Sequence, residues 1–195
     1  NNQGITFGSP TWGTGKFGRA LNFDGVNDYV DIGTGFTDSN ENSGTISAWF
    51  YRTGNGGGIF TRSTGANWPD ERLVIFSRSD NGQWGWSLSN SLSAQHPEFS
   101  IGYFPPSTWT HIVLTWDGST VILYQNGIIL GAPGNPASQL YTPELTTNVK
   151  TRIGWTEGII SVGGNSFNGV IDDVAVYNRA LTAQEVLAEY NCIPS

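Results

Sequence analysis

The chain has a single cysteine, Cys192, no methionine, and little charge, with Asp, Glu, Lys and Arg making up only 13% of 195 residues. One thiol builds no disulfide framework, zinc knuckle or paired-cysteine redox site within one chain, and Cys192 reads as a thiol without function. Basic residues are scarcer than acidic ones, 9 against 16, for a formal charge of −7. Such a chain offers no footprint for phosphates, which excludes a duplex nucleic acid as partner. Long apolar runs are missing as well. Stretches such as Val121–Tyr124 fall far short of the roughly 18 residues of a spanning helix, so no membrane insertion is expected. The lack of methionine, with the opening Asn1-Asn2-Gln3, reads as a piece excised or processed from a longer protein.

Glycine and aromatic residues are abundant: 26 Gly, 8 Trp, 7 Tyr and 10 Phe. That aromatic load excludes a disordered chain, and the length suits one domain over residues 1–195. Turn dipeptides recur at short intervals, at Asp24-Gly25, Asn55-Gly56, Asn81-Gly82, Asp117-Gly118, Asn126-Gly127 and Asn168-Gly169. Between them lie short apolar or alternating runs, the pattern of antiparallel β-structure. The clearest hairpins join Thr110–Trp116, Val121–Gln125 and Ile128–Leu130. Alternation puts Ile112, Leu114 and Trp116 on one face and His111, Val113 and Thr115 on the other.

Further strands are expected at Ala20–Phe23, Tyr29–Ile32, Thr45–Arg52, Gly58–Arg62, Leu73–Ser77, Trp84–Leu88, Phe99–Phe104, Lys150–Gly154 and Phe167–Tyr177. One helix is expected. Thr182-Ala183-Gln184-Glu185 spells a capping box, followed by Val186, Leu187 and Tyr190 as a buried stripe. The fold class is therefore all-β, a two-sheet antiparallel sandwich with one short C-terminal helix.

Three segments carry a family likeness: Gly15-Lys16-Phe17-Gly18-Arg19-Ala20-Leu21-Asn22-Phe23-Asp24-Gly25-Val26-Asn27-Asp28-Tyr29-Val30; Trp109–Gly118 with Leu123-Tyr124-Gln125-Asn126-Gly127; and Phe167–Leu181. In that order and spacing the chain resembles a laminin-G-like, concanavalin A-like jelly-roll domain of the bacterial type, related to the pentraxins. Domains of this kind often hold one structural calcium ion between the N-terminal strand region and the last strand. Here the resemblance implies Asp172 and carboxylates of the Asp24–Asp28 turn, Asp24 and Asp28, as ligands. From the residues alone a second reading stands beside it, in which Asp24 and Asn27 cap the turn and Asp172 accepts backbone hydrogen bonds. Asp172 attracts notice because strict alternation places it on one face with Val170, Val174 and Val176, where an ionised carboxylate needs a partner.

Catalytic signatures are missing. Jelly-roll glucanases related to this family carry E-x-D-x-x-E on one strand, and no glutamate here stands two residues before an aspartate. Neither His96 nor His111 is accompanied by a G-x-S-x-G elbow, and His111 reads as a half-buried structural histidine. A glycan ligand would instead use aromatic faces outside the framework, helped by planar hydrogen-bonding groups. Trp68 in a polar loop and Trp155 in Gly154–Gly158 are the candidates, with Asp70, Arg72 and His96 supplying hydrogen bonds. Trp49, Trp109 and Trp116 read as framework. The expectation is a non-catalytic, extracellular carbohydrate-binding or adhesion module with a structural calcium ion, part of a larger surface or secreted protein. The alternatives are a protein-interaction module of such a protein, binding its other domains or a partner, and less readily a polysaccharide-degrading hydrolase or lyase.

Overall fold

The computed structural model describes residues 4–33, 43–54, 56–63, 71–77, 83–88, 99–118, 120–130, 150–156 and 166–192, with side chains left aside at 71–74, 76–77, 83–88 and 99–103. In chain order the strands are β1 (Ile5–Phe7), β2 (Thr11–Thr14), β3 (Arg19–Asp24), β4 (Tyr29–Gly33), β5 (Gly44–Arg52), β6 (Gly58–Ser63) and β7 (Glu71–Ser77). There follow β8 (Gln83–Leu88), β9 (Phe99–Tyr103), β10 (Trp109–Trp116), β11 (Val121–Gln125), β12 (Ile128–Ile129), β13 (Lys150–Ile153), β14 (Asn168–Tyr177) and one helix, α1 (Ala183–Asn191). They form two antiparallel sheets, ordered β1-β4-β13-β6-β7-β8-β9 and β12-β11-β10-β5-β14-β3-β2. The expected sandwich is present. Strands β1 and β2 were not foreseen, because three- and four-residue runs such as Ile5–Phe7 and Thr11–Thr14 are too short to show an alternation.

The turns work as their residues require. Asn126 and Gly127 both hold positive φ, 53° and 78°, which lets β11 turn tightly into β12, in register from Tyr124 opposite Ile129. Between the sheets lies one apolar core. Ile46, Ala48 and Phe50 of β5 meet Phe60 of β6, with Phe104 and Phe167 closing round Phe50. Ile112 and Leu114 of β10 join that core and Trp116 packs against it, while His111, Val113 and Thr115 lie on the far face, as alternation demands.

That far face is partly covered by α1. Val113 and Tyr124 pack there with Leu181 and Val186 in a second, smaller cluster. The capping box forms as read: the Glu185 amide donates to Thr182 Oγ1 at 3.3 Å and the Thr182 amide to Glu185 Oε2 at 2.8 Å. Arg179 adds a bidentate pair to the same carboxylate, at 2.8 and 2.7 Å. With the Thr182 amide it holds Glu185 down to a pKa of about 2. Leu187 departs from the expected stripe and is exposed. Tyr190 instead leans over the sheet and stacks on Trp49, centroids 5.5 Å apart.

Strand β14 overturns one expectation. Its pairing with β5 slips between Asp172 and Ala175, and Asp173 takes a left-handed φ of 43°. The extra residue of this bulge reverses which side chains face inward. Ile171 faces the core before it, and Val174 and Val176 pack against the core after it. Asp172 therefore does not share the inward face of Val174 and Val176. Its carboxylate accepts the amides of Phe17 and Asp173, each at 3.0 Å.

Candidate functional site

The first sheet carries a row of aromatic rings on its outer face, at the end formed by β1, β4 and β13. Phe7 and Tyr29 are register partners on β1 and β4, and their rings stack at 4.7 Å with an interplanar angle of 8°. The Trp155 ring lies 5.5 Å beyond Tyr29. Gly154 aims it there. With φ at +86° and the Phe23 ring 2.5 Å from where a Cβ would stand, position 154 admits only glycine without rearrangement. Beyond it Trp155 bridges to Ser166, and its carbonyl accepts the Thr61 hydroxyl at 2.7 Å.

Charge is set into the same row. Arg152 of β13 is the register partner of Asp31 on β4, with Arg152 Nε 3.7 Å from Asp31 Oδ2. The Arg152 guanidinium also lies 5.3 Å from the Tyr29 ring centroid, within cation–π range. Ile5 and Phe7 are exposed at the sheet edge. The face thus combines ring faces with a largely buried guanidinium and a half-buried carboxylate beneath them, groups that contact C–H surfaces and bind hydroxyls respectively.

Of the residues expected to bind sugar, Trp155 belongs to this row. Trp68, Asp70 and His96 lie outside the described residues. Arg72 is placed on β7, in the same sheet and two strands from β13, with its side chain outside the description. Phe7, Tyr29, Asp31 and Arg152 were not anticipated. A signal existed in part, since Tyr29 and Asp31 alternate with Val30 and Ile32. Their meeting with Phe7 and Arg152 depends on the strand order β1-β4-β13, which spacing along the chain does not reveal.

The three carboxylates expected to hold calcium are not brought together. Asp28 is buried, with Oδ1 accepting the Ser9 amide at 2.6 Å and Oδ2 the Asp24 amide at 3.0 Å. Asp24 Oδ1 accepts the amides of Val26 and Asn27 at 2.7 and 3.2 Å, which lowers its pKa. This is a turn cap. Asp24 pairs in register with Asn168, whereas Asp172 stands four residues further along β14, opposite Trp49. At strand rise that is about 13 Å away. No group of three or more His, Cys, Asp or Glu suited to a metal occurs among the described residues.

The tie between the opening turn and the last strand is made by neutral side chains instead. Asn168 Nδ2 donates to the Asp24 carbonyl at 2.9 Å, Asn168 Oδ1 accepts the Thr53 hydroxyl at 2.7 Å, and Ser166 Oγ donates to the Val26 carbonyl at 2.8 Å. Asp24, Asp28 and Asp172 do not fit a calcium ligand set. Chelation with EDTA is therefore expected to leave the melting midpoint unchanged. A fall of several degrees would instead demonstrate a cation bound to the folded state.

One Ser–His pair exists among the described residues. Ser47 Oγ and His111 Nε2 are 2.9 Å apart on the outer face of the second sheet, and both residues are buried. Burial pushes the imidazole pKa down to about 4. Its Nδ1 has no hydrogen-bond partner, so the third member of a hydrolytic triad is not in place.

A family model described as the concanavalin A-like lectin/glucanases superfamily, Laminin_G_3, matches residues 24–187. No curated protein sequence matches the chain. Among solved structures, domain 4 of AbnA, an extracellular arabinanase of Geobacillus stearothermophilus, in complex with arabinotriose, superposes with a TM-score of 0.62 at 20% identity, over 93% of this chain and 81% of that one. The CBM40 of a Ruminococcus gnavus sialidase bound to α2,3-sialyllactose gives 0.63 at 17% identity, over 77% and 83%. Trypanosoma rangeli sialidase gives 0.63 at 17% identity, and the chain spans only 28% of that protein. These likenesses establish the sandwich, and the family match covers well over half of the sequence: the chain belongs to the Laminin_G_3 family of the concanavalin A-like lectin/glucanase superfamily.

Proposed function

We propose that the chain is a non-catalytic carbohydrate-binding module that works outside the cell, and that its glycan lies on the outer face of the first sheet. The observation that carries this reading is the row of Phe7, Tyr29 and Trp155 with Arg152 and Asp31 set into it. Pyranose and furanose rings present a C–H face that packs on aromatic rings, and vicinal hydroxyls suit a guanidinium or carboxylate. The neighbouring folds bound to arabinotriose and sialyllactose support a glycan as the class of ligand.

Isothermal titration with arabinotriose, sialyllactose and a wider oligosaccharide panel tests the proposal. At least one oligosaccharide is expected to bind. Tyr29→Ala and Trp155→Ala are each expected to weaken it ten-fold or more, about 1.4 kcal/mol, the scale of one lost ring contact. Circular dichroism establishes that the variants fold. Silence across the panel, with capture of a protein partner, would favour an interaction module instead.

A further inference from the structure

The outer face of the second sheet is not wholly covered by α1. Beside the bulge of β14 a cleft of about 270 Å³ opens, and its walls include Phe17, Trp49, His111, Asp173, Glu189 and Cys192. Three acceptors around it lack partners. His111 is only 1% exposed, and its Nδ1 makes no hydrogen bond. Glu189 Oε1 accepts the Tyr177 hydroxyl at 2.9 Å, but its buried Oε2 accepts nothing. Asp173, held at the bulge by its left-handed φ, has no described side chain paired with its carboxylate. Unpaired buried acceptors such as His111 Nδ1 and Glu189 Oε2 are costly, whereas Asp173 is exposed; partial desolvation and the neighbouring Asp172 raise its pKa.

The aromatic wall already shows what it accepts. Lys16 Nζ lies 4.8 Å from the Trp49 ring centroid and 5.8 Å from that of Phe17. Phe17 meets Trp49 edge-on at 5.6 Å. With Lys16 already over the Trp49 ring, the cleft's complementarity to a further group with positive charge and three N–H donors comes from the Asp173 and Glu189 carboxylates and the buried imidazole that line it. At neutral pH His111 is uncharged. With Nε2–H donating to Ser47, its Nδ1 is an acceptor rather than a competing cation.

We propose that this cleft binds a small ligand carrying a primary ammonium group. Its volume suits one alkylamine or a single amino sugar rather than a chain of sugars. The site is on the sheet opposite the glycan face and does not depend on it. The shared chemistry is the ammonium, and two probes separate its sources: n-butylammonium for a plain alkylamine and glucosamine for an amino sugar. N-acetylglucosamine, which keeps the ring and removes the charge, is the control.

Titration is followed by NMR and by protection of Cys192, which is exposed and lines the cleft, against alkylation. At least one amine is expected to bind and to slow alkylation, while N-acetylglucosamine does neither. Asp173→Asn, which keeps a residue tolerant of left-handed φ, is expected to weaken the amine about ten-fold, the scale of one charge-assisted hydrogen bond. Binding of glucosamine alone assigns the site to amino sugars, and of butylammonium alone to alkylamines. Failure of both amines to bind, equal binding of N-acetylglucosamine, or an Asp173→Asn variant with native affinity would overturn the proposal.

Discussion

Lowering the pH from 7 to 5 is expected to cost the fold about 2 kcal/mol through one imidazole, His111, rising to about 3 kcal/mol by pH 4. The group sits on β10 in a cluster of three rings, 4.8 Å from Trp49 and 6.0 Å from Tyr190 of α1, which themselves stack at 5.5 Å. Desolvation there lowers its pKa from 6.5 to about 4. The unfolded chain takes up a proton as pH falls through 6.5, while the folded chain declines it until about 4. Stability is therefore lost across that window and not below it.

The charged groups that line the cleft with His111 are Asp173 on β14 and Glu189 on α1, while Lys16, between β2 and β3, lies over the neighbouring Trp49 ring. Burial is what lowers the His111 pKa. Other shifted groups act differently. Asp173, with its raised pKa, gains stability as it protonates, so it works against the His111 effect. Asp24 and Glu185, with lowered values, lose their contributions only as pH falls below the ordinary carboxylate range. The His111 contribution is separated from these by comparing the native chain with a variant that lacks the imidazole. Urea denaturation of the native chain and of His111→Gln at pH 7 and pH 5 checks this. The native chain should lose about 2 kcal/mol, and the variant little; the same loss in both would assign the effect elsewhere.

Phe50→Ala is expected to destabilise the protein by about 3–5 kcal/mol. Phe50 is fully buried at the centre of β5. It touches Phe104 edge-on at 4.5 Å and Phe167 at 6.0 Å, and β5 is paired on both sides, with β10 and β14. Flanked in this way, the backbone has little freedom to collapse into the cavity, which places the cost toward the upper end. For a domain of this length that corresponds to a fall in Tm on the order of 10 °C. Phe7→Ala, at an exposed sheet edge, is the control and should change Tm by no more than a degree or two. A Phe50→Ala variant that melts with the native chain would mean the core is not where the fold places it.

Much of the fold is written locally. Asn126-Gly127 forms its turn because both residues tolerate positive φ, and Thr182 with Glu185 closes the capping box that starts α1. The β10 alternation sorts Ile112 and Leu114 from His111 and Val113 without any tertiary knowledge. What failed has a common cause: pairing between distant segments. A single extra residue at Asp172–Asp173 reverses the facing of the rest of β14, and only the register with β5 reveals it. His111 reads as a half-buried strand residue, but packing with Trp49 and with Tyr190 of α1, far along the chain, buries it while leaving it in the wall of the cleft beside β14. Likewise Trp155 announces itself by standing in a glycine-flanked loop, whereas Phe7 becomes part of the same face only through pairing of β1 with β4. The calcium expectation came with the family resemblance, and the residues alone also allowed the second reading: Asp24, Asp28 and Asp172 accept backbone amides, and Asn168 links the opening turn to β14.

Where a glycan sits is the decisive question. NMR chemical-shift mapping of the intact chain with whichever oligosaccharide binds in the titration panel is the direct test. Ring and indole signals of Phe7, Tyr29 and Trp155, with the Arg152 side chain, should move together and saturate at the calorimetric affinity. Shifts confined to the second sheet or to the α1 side, with those four residues unmoved, would contradict it.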